Sequence, residues 1–439
     1  MRRRDFLAMP LTGAALFAAK DEPQAPTVTN PKATAGDPIE PRWNSELTIT
    51  VGPGKADLVG DDHRVIQAAV DYVARFGGGT VRILPGVYRC RNAIYLQSHV
   101  RIVGSGPESV LIKEPSVSTR LAKDADWYDQ EVTLEDASGF EVGDGIVLRT
   151  RNPNNGSFDT YKRTLIARTR NRFKLDKMLV ENFWLKGGAT ACTLFALIDG
   201  MQVADVLIEN ITLDGNRASN ENLNGNYVAC IFLRECNRIR IDRVEARNFN
   251  GDGISWQVCH DVRVQNCYSH DNAGFGVHPG SGSQRTVVAN NRLERNDIGF
   301  FFCWGVKWGL CENNSIVDNK RFGISIGHAD TDNIIRGNEI RGSGKIGVFF
   351  RQEHGPAFSP NRNRLENNRI FDNGDETGVA VKIDGQTQSV AVVRNEIRET
   401  RGSARRIGIQ LDRETKDIQL EDNTISGFSE AIVDLRGAG

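Results

Sequence analysis

The sequence predicts an all-β solenoid with three short parallel strands per turn, a capping helix near its start and a small β insertion. Three observations predict it. The first is a phrase that recurs from residue 230 to residue 412: Cys230-Ile-Phe-Leu-Arg234, Gly253-Ile-Ser-Trp-Gln257, Gly276-Val-His-Pro-Gly280, Gly299-Phe-Phe-Phe-Cys303, Gly323-Ile-Ser-Ile-Gly327, Gly347-Val-Phe-Phe-Arg351, Gly378-Val-Ala-Val-Lys382 and Gly408-Ile-Gln-Leu-Asp412. The first residues of these copies lie 23, 23, 23, 24, 24, 31 and 30 apart. Such a period marks a stack in which each repeat is one turn. The second observation is a pair of further apolar runs in each repeat, as at Val262-Arg-Val264 and Leu293 or Leu310-Cys311 and Ile316. The third is the Asn-rich corner between those runs: Asn266, Asn290-Asn291, Asn313-Asn314, Asn338, Asn367-Asn368, Asn395 and Asn423. Runs this short cannot be helices, and Asn and Gly tolerate the left-handed backbone that a sharp corner requires.

The remaining elements follow in chain order. Met1-Arg2-Arg3-Arg4-Asp5-Phe6-Leu7 and the modestly apolar stretch to Ala19 resemble a twin-arginine export signal, so residues 1–19 are expected to direct the protein to the periplasm or beyond. Residues 20–49 read as a Pro-rich linker. Residues 62–75 predict one helix: Asp61 or Asp62 caps it, and Val65, Ile66, Ala69, Val70 and Val73 share a face. A solenoid exposes unpaired backbone and core at its first turn, so an amphipathic helix is needed there as a lid. The helix and the first turns occupy 50–117; antiparallel-looking strands that break the period place a β insertion at 118–190; the main stack runs over 191–439.

Asp61-Asp62-His-Arg-Val-Ile-Gln-Ala-Ala-Val70, Gly77-Gly-Gly-Thr-Val81, Leu84-Pro-Gly-Val-Tyr88 and the repeats together resemble the pectate lyase-like superfamily, which implies a right-handed parallel β-helix. That superfold carries hydrolases, lyases, epimerases and passive binding proteins, so function must be argued from the site. Asn250-Gly-Asp252-Gly-Ile-Ser255 and Gly323-Ile-Ser-Ile-Gly-His328 are similar to two motifs of the polygalacturonase family. Its paired-Asp motif is absent, because the turn where it belongs reads Gly276-Val-His-Pro-Gly280, and so is its Arg-x-Lys motif. The catalytic set of that family therefore does not transfer.

Composition narrows the partners. Net charge is −1 with 25% charged residues, which argues against non-specific nucleic-acid binding, and no apolar run beyond the N-terminus is long enough to span a membrane. The eight cysteines lack a zinc-like spacing and read as small core residues.

Register turns the repeat into a surface. Side chains alternate along a strand, so the second and fourth residues of the phrase (Ile254/Trp256, Phe300/Phe302, Val348/Phe350) point inward and the third and fifth point outward. Consecutive turns stack about 4.8 Å apart. The outward columns hold Ser255 and Gln257, His278, Phe301 and Cys303, Ser325, and Phe349 and Arg351, and the following loops hold Trp304, Lys307, Trp308, His328, Asp330, Asp332, Glu353 and His354. A groove over residues 255–354 is expected to bind a polysaccharide, probing it with Asp252, Ser255, Gln257, Trp304, Trp308 and His354. As a glycoside hydrolase, Asp330 and Glu353 would be acid and base with His328 tuning one of them. As a lyase, Arg351 would neutralise a uronate carboxylate while His278, His328 or Lys307 takes the neighbouring proton. Calcium held by Asp330 and Asp332 is an alternative to the arginine. The competing expectation is a non-catalytic carbohydrate-binding solenoid dominated by Trp304 and Trp308.

Overall fold

The recurring phrase folds as one ladder of eleven parallel strands, from Ile94–Tyr95 to Glu430–Asp434. The computed structural model describes residues 45–402 and 405–437, so the export-like segment and nearly all of the expected linker lie outside the described residues. Inward positions pair turn after turn, Ile254 with Val277, then Phe300, Ile324, Val348, Val381 and Ile409. A second ladder stacks Val264, Val288, Cys311, Ile335, Leu365 and Val392, and a third stacks Leu293, Ile316, Ile340, Ile370 and Ile397. These residues are completely buried, as are Trp256, Phe302 and Phe350. Each such side chain contributes about 1.5–3 kcal/mol by leaving water. The chain is thus a parallel β-helix.

The corners divide labour between two adjacent residues. Asn290, Asn313, Gly337, Asn367 and Arg394 take the left-handed conformation that turns the chain. The next residue in each case, Asn291, Asn314, Asn338, Asn368 or Asn395, is buried and joins a ladder of amides. Asn314 Oδ1 accepts from Asn291 N and Nδ2, both at 2.9 Å, while its own Nδ2 donates to Val288 O and to Asn338 Oδ1 at 2.9 Å. The amide satisfies corner backbone groups that would otherwise be buried unpaired.

The helix, α1 (His63–Arg75), begins where Asp62 accepts from Arg64 N, and it buries Ile66, Ala69, Val70 and Val73 on the first turn. After it, Gly78 has φ 127°, and a Cβ there would sit 2.4 Å from His99 O. Only glycine fits that return onto the first turn. The first strand, Thr48–Gly52, begins inside the span expected as linker, because Thr48–Val51 pair with Thr80–Ile83. The insertion is a six-stranded antiparallel sheet with its own core of Leu148, Leu165, Phe173 and Phe183. Lys162 carries it onto the main ladder: its ammonium pairs with Asp199 and lies 4.3 Å above the Phe232 ring. Those turns are roofed, and the open face begins beyond them.

Candidate active site

Beyond Phe232, the outward column of the long ladder runs Ser255, His278, Phe301, Ser325, Phe349, Lys382. The neighbouring column runs Gln257, Gly280, Cys303. The face has two parts, one sunk beneath cover and one open.

The sunken part centres on Asp252 and His278, each 1% exposed. His278 Nδ1 lies 2.7 Å from Asp252 Oδ2 and 3.3 Å from Ser255 Oγ. Asp252 Oδ1 also accepts from Phe275 N at 2.8 Å, and Ser255 Oγ donates to Gly225 O at 2.9 Å. The chain at Gly225 closes over this part so tightly that a Cβ there would overlap the Asp252 carboxylate. Phe275 and Phe301, stacked with ring centroids 4.3 Å apart, wall the imidazole on its other sides. Burial alone would lower the basicity of His278, but the hydrogen bond and charge of Asp252, together with Cys303, raise its pKa to about 9. It is therefore held as an imidazolium, while its Nε2 is buried without a hydrogen-bond partner. Asp252, Ser255 and Gln257, expected to line the groove, instead form its substructure. Outward register does not mean exposure where a loop folds back.

The open part is built by two later turns. Arg351 folds back over Gly327 and lies 4.5 Å above the Phe301 ring. Its Nη1 donates to Ser325 Oγ at 2.8 Å and its Nη2 to Phe302 O at 3.1 Å. Two of its five N–H donors are thus hydrogen-bonded, and Nη2 also stands 3.8 Å from the Asp330 carboxylate. Glu353 Oε1 accepts from His328 N at 2.7 Å, and its Oε2 lies 3.3 Å from His328 Nδ1; Arg351 Nε stands 3.5 Å from the same carboxylate. The His328 ring packs on Trp304 at 4.0 Å and near Phe358 at 5.3 Å. Trp304 is 60% exposed and takes φ 64°, a conformation bulky residues seldom adopt. His328, Arg351 and Glu353 are thus brought together as the spacing predicts, with Trp304 beside them.

Three expected members stand elsewhere, and a fourth, Asp330, lies beneath the cluster with its Oδ2 3.8 Å from Arg351 Nη2. Asp330 is fully buried, its Oδ1 accepting from Val306 N at 2.8 Å and its Oδ2 from Gly327 N at 3.0 Å. Burial, only partly offset by Arg351 and those amides, raises its pKa to about 7. It closes a turn beneath Arg351 and does not open to the groove. Lys307 bridges between Gln284 and Thr331 in a corner column. Trp308, 56% exposed, occupies the left-handed corner position shared by Asp261, Arg285, Asp332 and Arg362, and among the described residues it makes no ring contact with the cluster. His354 is an exposed loop residue. The calcium alternative does not fit either. Asp330 is taken by backbone amides, and Asp332 is clamped by two hydrogen bonds from Arg362 at 2.8 Å.

Cys303 was legible as outward but was read with the core cysteines. It is the one cysteine of the eight that is only partly buried. Phe358 carried no repeat signal, because it enters from the longer loop of the 31-residue turn. A separate cleft of about 260 Å³ lies between α1 and the insertion, but Arg91 and Asp144 on its wall already pair at 2.7 Å.

The profile of the family described as "Right handed beta helix region" matches residues 196–307 and 299–438, more than half of the chain. The mannuronan C5-epimerase AlgE2 of Azotobacter vinelandii is 23% identical over 339 residues, covering 74% of this chain and 24% of that protein. The chain thus spans about a quarter of that relative's length. The A-module of the mannuronan C-5 epimerase AlgE6 from the same organism superposes with a TM-score of 0.55 at 18% identity, covering 85% of this chain and 92% of that one. PfbA, a surface adhesin of Streptococcus pneumoniae, gives the same TM-score at 13% identity over 85% of this chain and 88% of that one. At these identities the two structures are similar in fold alone.

Proposed function

The chain belongs to the right-handed β-helix family, and from its open face we propose an enzyme that works on an acidic, uronate-containing polysaccharide at the C5–H bond. One observation carries this reading: Arg351 lies across the face beside the Glu353–His328 pair, with two of its five N–H donors hydrogen-bonded and its Nε turned toward Glu353. A uronate carboxylate paired with the guanidinium bidentately is neutralised, and the enediolate that forms when C5 loses its proton is stabilised in place. His328 supplies the proton-transfer group. Glu353 faces its Nδ1, and its Nε2, covered in this structure by the Trp304 and Phe358 rings, has no hydrogen-bond partner. Trp304 offers a flat, exposed ring for the neighbouring sugar.

The resulting carbanion either takes a proton back, giving epimerisation, or expels the C4 substituent, giving elimination. The name of the AlgE2 relative, a mannuronan C5-epimerase, supports the first of these. Hydrolysis by paired carboxylates is the weaker reading, since Asp330 is enclosed and its oxygens are occupied. The test is incubation with polymannuronate, polygalacturonate and a neutral glucan in D2O. Deuterium at C5, or new reducing ends matched by C4=C5-unsaturated ends, supports proton abstraction; new reducing ends with the C5 protons retained and no unsaturation refute it.

A non-catalytic carbohydrate-binding role is favoured by a different observation, the large exposure of Trp304 and Trp308. It predicts retained polymer binding with neither exchange nor cleavage. Export through the twin-arginine-like start belongs to the same proposal and is tested by cell fractionation with Arg3 and Arg4 replaced by lysine.

A further inference from the structure

The groove floor contains an arrangement that the Arg351 cluster does not use. His278 Nδ1 points back one turn to Asp252 at 2.7 Å, so its Nε2 points forward, toward the turn that carries Phe301 and Cys303. That nitrogen is buried without a hydrogen-bond partner in a residue 1% exposed. Cys303 bridges to Gly280, two residues after His278, and Gly280 has no side chain of its own, the Gln257 amide of the preceding turn packing over it. Among the eight cysteines only Cys303 reaches solvent, and Trp304, the next residue, packs on His328. A thiol open to the groove therefore stands beside an imidazole whose other nitrogen is anchored by a buried carboxylate.

We propose that Cys303 is a second proton-transfer residue of the groove, set against the His278–Asp252 pair. This rests on the C5–H reading above. Inverting C5 requires a group on each side of the sugar, one to remove the proton and one to return it. In one direction the Cys303 thiolate takes the C5 proton: the S–H bond forms, the C5–H bond breaks, and the electron pair moves into the carboxylate held by Arg351. In the other direction the Cys303 thiol returns its proton to C5. His278 remains an imidazolium throughout and acts as a positioning residue, as does Asp252. A thiolate beside an imidazolium is the usual way a protein activates cysteine near neutral pH. Against the effect of burial, the hydrogen bond and charge of Asp252 hold the His278 pKa up, in agreement with a charged partner near neutral pH. The charged groups facing the pair are Asp252 on the preceding strand and Arg351 across the Phe301 ring.

The test is alkylation of the full-length protein by iodoacetamide, followed by peptide mass mapping, from about pH 5 to about pH 9. The expected result is alkylation at Cys303 that stays nearly flat down to about pH 6, with the seven buried cysteines unmodified in the folded protein. An ordinary thiol would instead slow about 10-fold per pH unit below its pKa of about 8.5, and that profile in the wild type overturns the pairing. His278→Gln is expected to slow alkylation at about pH 6 by at least about 10-fold. The wild-type pH profile decides the matter even if that variant does not fold. Cys303→Ser is then assayed for C5 deuterium exchange. Loss of exchange with retained polymer binding supports the role, and full exchange overturns it. Fast, flat alkylation with neither exchange nor unsaturated products on any uronate polymer overturns the proton-transfer role together with the uronate reading, whereas exchange with an ordinary thiol profile overturns this inference alone.

Discussion

Each turn of this solenoid has a side that repeats and a side that does not. On the repeating side, Asn291, Asn314, Asn338, Asn368 and Asn395 make the same contacts in successive turns. On the other side, the equivalent positions pass through Ser255, His278, Phe301, Ser325 and Phe349 without repeating. A side chain that closes a corner meets the same need in every turn, so it recurs. A side chain that contacts one point of an asymmetric ligand meets a need that arises once. Irregularity on a regular scaffold therefore marks the place where function is sought, and the contrast can be tested from both sides.

The largest effect is expected on the irregular side. Replacing Arg351 by alanine should lower C5–H turnover by about 100-fold or more, because it removes the donors aimed at the developing charge. Arg285→Ala, which breaks an exposed pair with Asp261, should change neither turnover nor stability by more than about 0.5 kcal/mol. Kinetics on the same polymer compare the two directly. Next comes the repeating side. Asn314→Ala leaves Asn291 N and Val288 O without their buried partners, so a loss of about 3 kcal/mol is expected in denaturant midpoints. Turnover per folded molecule should be unchanged. If the asparagine variant lost activity while remaining folded, the division between the two sides would fail.

Asp330 sharpens the contrast, since it sits under the irregular side but works like the repeating one. Its pKa is raised from 3.8 to about 7, so the folded state binds its proton more tightly than the unfolded chain does. Its contribution to stability is fully present below 3.8 and is lost as pH rises through about 7. Wild-type stability should therefore decline between about pH 5 and about pH 7, by on the order of 2 kcal/mol from this group, and Asp330→Asn should flatten that window. Urea melts at the two pH values measure it. The smallest effect separates the two exposed tryptophans. Trp304→Ala should weaken oligouronate binding about 10-fold, and Trp308→Ala, at a corner, less than about twofold by calorimetry.

The fold was legible because it depends on period and alternation, which survive in one dimension: Ile254, Phe300 and Val348 could be placed inward by counting alone. The helix lid and the insertion followed from a change of pattern. The site was legible only in part. Arg351, Glu353 and His328 come from adjacent turns at fixed spacing, so their meeting could be foreseen. The roof over His278 could not, because it is made by the chain at Gly225, about two turns away and outside the repeat. Asp330 misled for a related reason. Its carboxylate turns under the strand to collect two amides, a choice set by backbone geometry that composition does not encode.

The most direct measurement is deuterium incorporation at C5 of polymannuronate and polygalacturonate in D2O, followed by NMR, with wild-type protein and with Glu353→Gln. Incorporation by the wild type, lost in the variant while the β-helix remains folded, is the predicted result. New reducing ends with every C5 proton retained would contradict the account and return the groove to glycoside hydrolysis.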